Sequence, residues 1–200
     1  VKRDDQPTNR DKLVRAASEL LRRKGFVATT VDDICEQAGV TKGAFFHHFA
    51  GKEAMAKECL RQWDAMAEGL EAGAAFQRIT DPLAKAVGYM EFLIRFFSNP
   101  KIFKSCLAGT TLQEVSQTHP ELREAAHACF ANAEGRFRVL LESAAASVGA
   151  KVDSAGLAQL WMATLQGSLL LSKGSRDESV IPRSLEHVKA YIARSLEPAR

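Results

Sequence analysis

The sequence predicts an all-α protein, and three observations carry that reading. Apolar residues recur at three- and four-residue spacing along almost the whole chain, and no stretch alternates as a half-buried strand does. Glycines, prolines and capping residues divide the 200 residues into about nine segments of helical length. Hydrophobic residues make up 46% and charged residues 26%, an ordinary globular balance in which such helices can bury a core.

The charged start, "VKRDDQPTNRDK", reads as a disordered lead-in and not as a secretory leader. Thr8 or Asn9 caps a first helix, with Leu13, Ala16, Ala17, Leu20 and Leu21 on one stripe. Gly25 ends it. Thr30 caps "VDDICEQA", with Asp32 and Asp33 in the first turn, where the helix dipole favours anions. Val31, Ile34, Cys35 and Ala38 form the inner face of this second helix. Gly39 breaks it, Val40 packs inward, and Thr41 caps a short third helix reaching about His48. Two short helices joined by a glycine-containing turn are the layout of a helix-turn-helix.

In the third helix Phe45 and Phe49 stand four apart and anchor one side. Gly43, Ala44 and His47 then point away, with Lys42 and Phe46 at the flanks. A small, basic and aromatic outer side suits the major groove of double-stranded DNA. Lys42, Gly43, Ala44 and His47 are expected nearest the base edges. Thr30, Thr41, His48 and Lys52 are expected at phosphates or at the helix ends beside them. Charge leans the same way: residues 1–52 hold 10 Lys/Arg against 7 Asp/Glu, while the remainder is balanced at 17 of each.

A fourth helix opens at Lys52 and runs to about Gly73, with Met55, Cys59, Trp63 and Met66 or Ala67 along one side. Asp81-Pro82 starts a fifth. Between Tyr89 and Phe97 it is apolar nearly all round, interrupted by the Glu91/Arg95 pair, which implies a central, buried helix. "IFKSCLAGTTLQEVSQ" is a sixth helix with a ragged start. Thr118-His119-Pro120 begins a long seventh, to about Val148, striped by Leu122, Cys129, Phe130, Ala133, Phe137, Leu140, Leu141, Ala144 and Val148. Asp153 caps an eighth, with Leu157, Leu160, Trp161, Thr164, Leu165 and Ser168 on one face. "SKGSRDESVIP" reads as a loop, and Leu185, Val188, Ile192 and Leu196 stripe a ninth helix.

Several classes of function find no support. No apolar run approaches the ~20 residues of a membrane span. The four cysteines, at 35, 59, 106 and 129, contain no CxxC pair, so neither a zinc site nor a disulfide framework is suggested and a reducing cytoplasm is expected. There is no GxSxG, HExxH or phosphate-binding glycine loop, so no enzyme, metal or cofactor is expected. His119 and His127 read as surface or core residues and not as ligands. A helical interaction module remains a second class, separable from a DNA reader by the salt dependence of binding.

Residues 10–55 resemble the DNA-binding domain of the TetR family of transcriptional regulators. The resemblance rests on "RDKLVRAASELLRRKGF", then "TTVDDICEQAGVTKGAFFHHF", then "GKEAM". It departs from the family in two places. The family usually has a tyrosine where Phe46 stands, and its hydroxyl binds a phosphate. Asp32 stands where a basic or neutral side chain often approaches DNA. Further on, "SCLAGTTLQEVSQTHPELREA" is similar to the sixth and seventh helices of one subgroup.

The resemblance implies residues 1–51 as a DNA-binding domain, with Phe46 among its interface residues, and 52–200 as a ligand-binding and dimerisation domain. A single helix-turn-helix reads few base pairs, so a homodimer on a palindromic operator is expected. Leu160, Thr164, Leu165 and Ser168 of helix eight, with Val188, Ile192 and Leu196 of helix nine, are the expected dimer surface, the alternative being that both stripes face the chain's own core. A small apolar or aromatic effector is expected against Trp63, Phe92, Phe96, Phe103, Cys106, Phe130, Phe137, Trp161 and Gln166. Repressor and activator are not distinguished by the residues; family habit favours a repressor released by its ligand. Cys106 has two readings, a small buried hydrophobe or a thiol sensor, since Lys101, Lys104 and a helix start nearby favour thiolate.

Overall fold

The computed structural model describes residues 7–102 and 104–197, so residues 1–6 of the expected lead-in and the candidate Phe103 lie outside the described residues, while residues 9–12 of that lead-in already belong to the first helix. Among these the chain forms nine α-helices, one short 3-10 turn and no strand. It divides into two compact units, residues 1–65 with 105–129, and residues 66–104 with 130–200. This division by packing differs from the division at residue 51 that the motifs suggest, because α6 (Leu107–Val115) and the start of α7 (Pro120–Val148) pack into the first unit.

The first unit begins with α1 (Asn9–Lys24). Its cap is reciprocal: the Thr8 hydroxyl accepts the Asp11 N–H at 3.2 Å, and the Thr8 N–H donates to Asp11 at 3.0 Å. Leu13, Val14, Ala16, Ala17 and Leu21 are buried, whereas Leu20 of the expected stripe is half-buried. α2 (Val31–Ala38) repeats the device with Thr30 and Asp33, and Gly39 ends it in the left-handed region at φ 65°. α3 (Lys42–His48) starts from Thr41, whose hydroxyl accepts the Ala44 N–H at 3.2 Å. Leu13, Ile34 and Phe45 are fully buried where these three helices meet. Met55, Cys59 and Leu60 of α4 (Lys52–Ala72) and Leu122 and Ala126 of α7 complete this core.

In the second unit α5 (Pro82–Ser98) takes its N-cap from Asp81. A 3-10 turn at Ala75–Arg78, not foreseen from periodicity, lays Phe76 against α5. Gly88 permits the approach, since a Cβ there would meet Ile79 Cδ1 at 2.9 Å and the Phe76 Cβ at 3.0 Å. α8 (Ser154–Ser175) runs further than expected and α9 (Val180–Ser195) begins earlier, so the loop shrinks to residues 176–179. Arg176, at φ 57°, supplies the left-handed residue that stops α8. α9 packs on both α8 and α5, and Ile181, Leu185, Ile192 and Leu196 are fully buried there.

Candidate nucleic-acid interface

α3 is short, and its orientation follows from its two ends. Thr41 fixes the first turn, and Phe45 and Phe49 sink into the first unit. The Phe45 ring meets Phe49 at 5.9 Å and Phe46 edge-on at 5.2 Å. The Arg10 guanidinium lies 5.4 Å over Phe49. What remains outward is Lys42, Gly43, Phe46, His47 and His48, all exposed, with Ala44 half-buried. Phe46 is 57% exposed, a large aromatic left in solvent next to two histidine rings 4.9 Å apart. This side of α3 therefore presents an aromatic ring, two imidazoles and an ammonium to solvent.

The rest of the expected set behaves less uniformly. Thr30 is exposed, but its hydroxyl is engaged in the α2 cap with Asp33 at 2.7 Å and 3.1 Å. Asp33 also takes the Lys24 ammonium at 2.8 Å, and these donors, Lys24 first, hold its carboxyl well below the usual range. Asp32 reaches the other way, to the Lys42 ammonium at 2.7 Å; that bond raises the Lys42 pKa. Lys52 is half-buried: its ammonium donates to the Phe26 carbonyl at 2.8 Å and sits 4.2 Å from the Phe26 ring. Desolvation lowers its pKa against the opposing charge of Glu114. Beside α3 an open groove of about 450 Å³ is lined by Asn9, Cys35, Glu36, Gly39, Val40, Thr41 and Ala44.

The ligand candidates fall in different parts of the chain. Trp63 and Cys106 belong to the first unit, where Arg22 stacks 4.9 Å over Trp63 and the Cys106 sulfur caps α6 by accepting the Gly109 N–H at 3.5 Å. Phe92, Phe96, Phe130, Phe137, Trp161 and Gln166 belong to the second. There Phe76, Tyr89, Phe137 and Trp161 form a chain of ring contacts at 5.5, 4.6 and 5.7 Å, with Phe92 reached from Phe76 at 5.7 Å and Phe96 from Phe92 at 6.5 Å. Phe137 and Trp161 are fully buried core residues, and Phe130 and Gln166 are half-buried. Phe76 and Tyr89 were missed as members of this cluster, although Tyr89 opens the segment that is apolar all round. Lys104, read as an activator of Cys106, pairs with Glu178 at 3.2 Å and donates to the Asn99 carbonyl.

The expected dimer stripe turns inward. Leu165, Ser168, Val188, Ile192 and Leu196 are buried within the second unit. Of that set Leu160 is exposed and Thr164 half-buried. The physical reason is that α8 and α9 bury their apolar stripes against the chain's own bundle. The outer side of α8 is instead lined by Leu160, Ala163, Gly167, Leu170 and Leu171. No group of metal-ligating side chains occurs among the described residues, nor a helix long and apolar enough to cross a membrane.

Residues 13–59 match the family described as bacterial regulatory proteins, tetR family. Residues 82–188, over half the chain, match the tetracyclin repressor-like C-terminal domain. The chain belongs to the TetR family. As a TetR-family member it is a helix-turn-helix transcriptional regulator. It is 23% identical over 189 residues to the HTH-type transcriptional regulator in the lacX 3′ region of Lactococcus lactis subsp. lactis, covering 92% of this chain and 93% of that one. To the HTH-type transcriptional repressor KstR2 of Mycobacterium tuberculosis it is 33% identical over 111 residues, 47% of this chain and 56% of the repressor. A TetR transcriptional regulator from Chloroflexus aurantiacus J-10-FL shares the fold, with a TM-score of 0.80, 24% identity, and 92% and 93% of the two chains covered.

Proposed function

We propose that this TetR-family regulator binds a palindromic operator in double-stranded DNA as a homodimer, reads it through α3, and releases it when a small apolar or aromatic effector binds. The observation that carries the reading is the division of α3 into a buried Phe45/Phe49 anchor and an exposed Lys42–His48 side. Residues 1–51 then act as the reading head and 52–200 as the effector and dimer region, working in the cytoplasm. Lys42, Gly43, Ala44 and His47 face base edges. Phe46, which has no hydroxyl for a phosphate, adds apolar contact of the kind a thymine methyl accepts. The names of relatives such as KstR2 support a repressor.

The uncharged outer side of α8, with Leu160, Leu170 and Leu171 exposed around Ala163 and Gly167, supports a second copy of the chain as its cover. The ring cluster around Tyr89, Phe137 and Trp161 supports an aromatic effector. The Trp161 indole N–H is buried with no hydrogen-bond partner among the described residues, a donor that an acceptor on such a molecule would satisfy. Selection of duplexes from a random-sequence pool, followed by salt titration of the retained fragments, tests the reading. A DNA reader loses affinity steeply as salt rises. Salt-insensitive binding, or no retained sequence, would leave an interaction module as the better account.

A second reading makes Cys106 a thiol sensor that responds to electrophiles or oxidants. Its favouring observation is the sulfur at the start of α6, where it caps the helix by accepting the Gly109 N–H. Equal release of DNA from wild type and Cys106→Ser after treatment with a quinone would remove it.

A further inference from the structure

At the start of α2 two adjacent carboxylates have separate partners. Asp33 is committed to the Thr30 cap and to Lys24. Asp32 spans the turn to Lys42, the first residue of α3, at 2.7 Å, with the two side chains 64% and 62% exposed. An ion pair so open to water adds little to fold stability. Its consequence lies at the surface that α3 presents. A lysine alone is a mobile point charge that accepts any phosphate. An ammonium has three N–H donors. With one given to Asp32, the other two are held on the side away from α2.

Resting on the α3 reading above, we propose that Asp32 is a positioning residue that sets sequence specificity. It holds Lys42 so that the remaining two donors meet one base pair, guanine O6 and N7, and its own negative charge opposes sequence-independent seating on phosphates. A carboxylate beside DNA weakens every encounter. In a matched complex the oriented lysine recovers the loss through base contacts, and in an unmatched one nothing does. Asp32 therefore trades general affinity for discrimination.

The test uses the full chain and three variants, Asp32→Asn, Lys42→Ala and the double variant. Duplexes are selected from a random-sequence pool with wild type. Each protein is then titrated, between about 50 and 200 mM salt, with a selected duplex and with the unselected pool. Asp32→Asn is expected to bind the pool more tightly, with a salt slope steeper by about 0.9 for each phosphate gained. Its ratio of selected to pooled affinity should fall about tenfold, within the range of one two-donor base contact. Reselection with Asp32→Asn should lose preference at one symmetric pair of positions. In the Lys42→Ala background the same change should leave base preference unmoved, because the orienting partner is gone. An unchanged ratio in Asp32→Asn, or equal gains on both duplexes, overturns the proposal and leaves Asp32 a simple repulsive charge. Wild type that retains no duplex in a salt-dependent way overturns the α3 reading itself.

Discussion

The Glu114 carboxylate accepts the Val27 backbone N–H at 2.9 Å, tying α6 to the turn that follows α1. The same carboxylate explains Gly25, which closes α1 at φ 84° with its N–H on the Leu21 carbonyl at 3.1 Å. A Cβ at residue 25 would sit 1.7 Å from Glu114 Oε1. Gly25 therefore answers two demands, a backbone conformation and a close approach, and the second was invisible in a local reading.

Gly25→Ala is expected to destabilise the fold by about 1–3 kcal/mol from backbone strain alone, since φ 84°, ψ 174° is a conformation nearly closed to any residue with a Cβ, and further by displacing Glu114. Glu114→Ala should cost about 1–2 kcal/mol for a lost charged hydrogen bond. Because the alanine at residue 25 collides with the side chain removed in the second variant, the double variant should lose less than the sum. Urea unfolding of the three proteins measures this, and strict additivity would contradict the contact.

Lys52 was expected at a phosphate, but its ammonium points into its own chain, at the Phe26 carbonyl and over the Phe26 ring. Lys52→Ala should accordingly lower stability by about 1 kcal/mol, from one hydrogen bond and a cation–ring contact. The slope of DNA affinity against salt should stay as in wild type. A flatter slope with unchanged stability would return Lys52 to the phosphates.

These two cases show where a sequence is readable. Thr8, Thr30, Thr41, Asp81 and Asp153 cap their helices as expected because a cap is decided within four residues. The anchor pair Phe45 and Phe49 was equally legible, since helical spacing alone puts them on one side. Periodicity does not say which neighbour a stripe will meet. Leu165, Val188 and Ile192 make the same pattern whether they face a second copy or, as observed, their own bundle. The partners of Lys52 and Asp32 lie 26 and 10 residues away and depend on how the turns fold, so spacing could not supply them. The 3-10 turn carrying Phe76 is too short to show a period at all.

Glu58 gathers Arg61, Gln62 and Arg10, at 2.8, 2.9 and 2.8 Å. Hydrogen bonds from Arg61 first, then Gln62 and Arg10, outweigh burial and hold its carboxyl at about 2, below the ordinary 4.5. A carboxyl with a lowered folded pKa contributes stability above its unfolded pKa and loses it as pH falls through the folded one. The loss should fall between about pH 4.5 and about 2. Glu58→Gln is therefore expected to be less stable at neutral pH, with a gap to wild type that closes on acidification. Denaturant midpoints recorded across that window check it, and a constant gap would show that Glu58 does not titrate in this way.

The inward turn of the expected stripe makes the dimer surface testable by contrast between two leucines of one helix. Leu165 is 7% exposed, and Leu171, six residues on, is 62% exposed. A charge at residue 165 has no partner and no water within its own chain, so Leu165→Glu should unfold the second unit at a cost of several kcal/mol, on the order of 3–5. Leu171→Glu leaves an isolated chain intact, because its side chain stands in solvent there. If a second copy covers the outer side of α8, the same substitution buries an unpaired charge at the contact and should raise the dimer dissociation constant by about a hundredfold or more. Circular dichroism should then show a full helical spectrum for Leu171→Glu and a depleted one for Leu165→Glu. Sedimentation at low micromolar concentration should show Leu171→Glu as a monomer with weakened hold on a selected palindromic duplex. A Leu171→Glu protein that sediments as wild type would move the contact off α8, to a face such as that of Tyr191 on α9, which is 51% exposed.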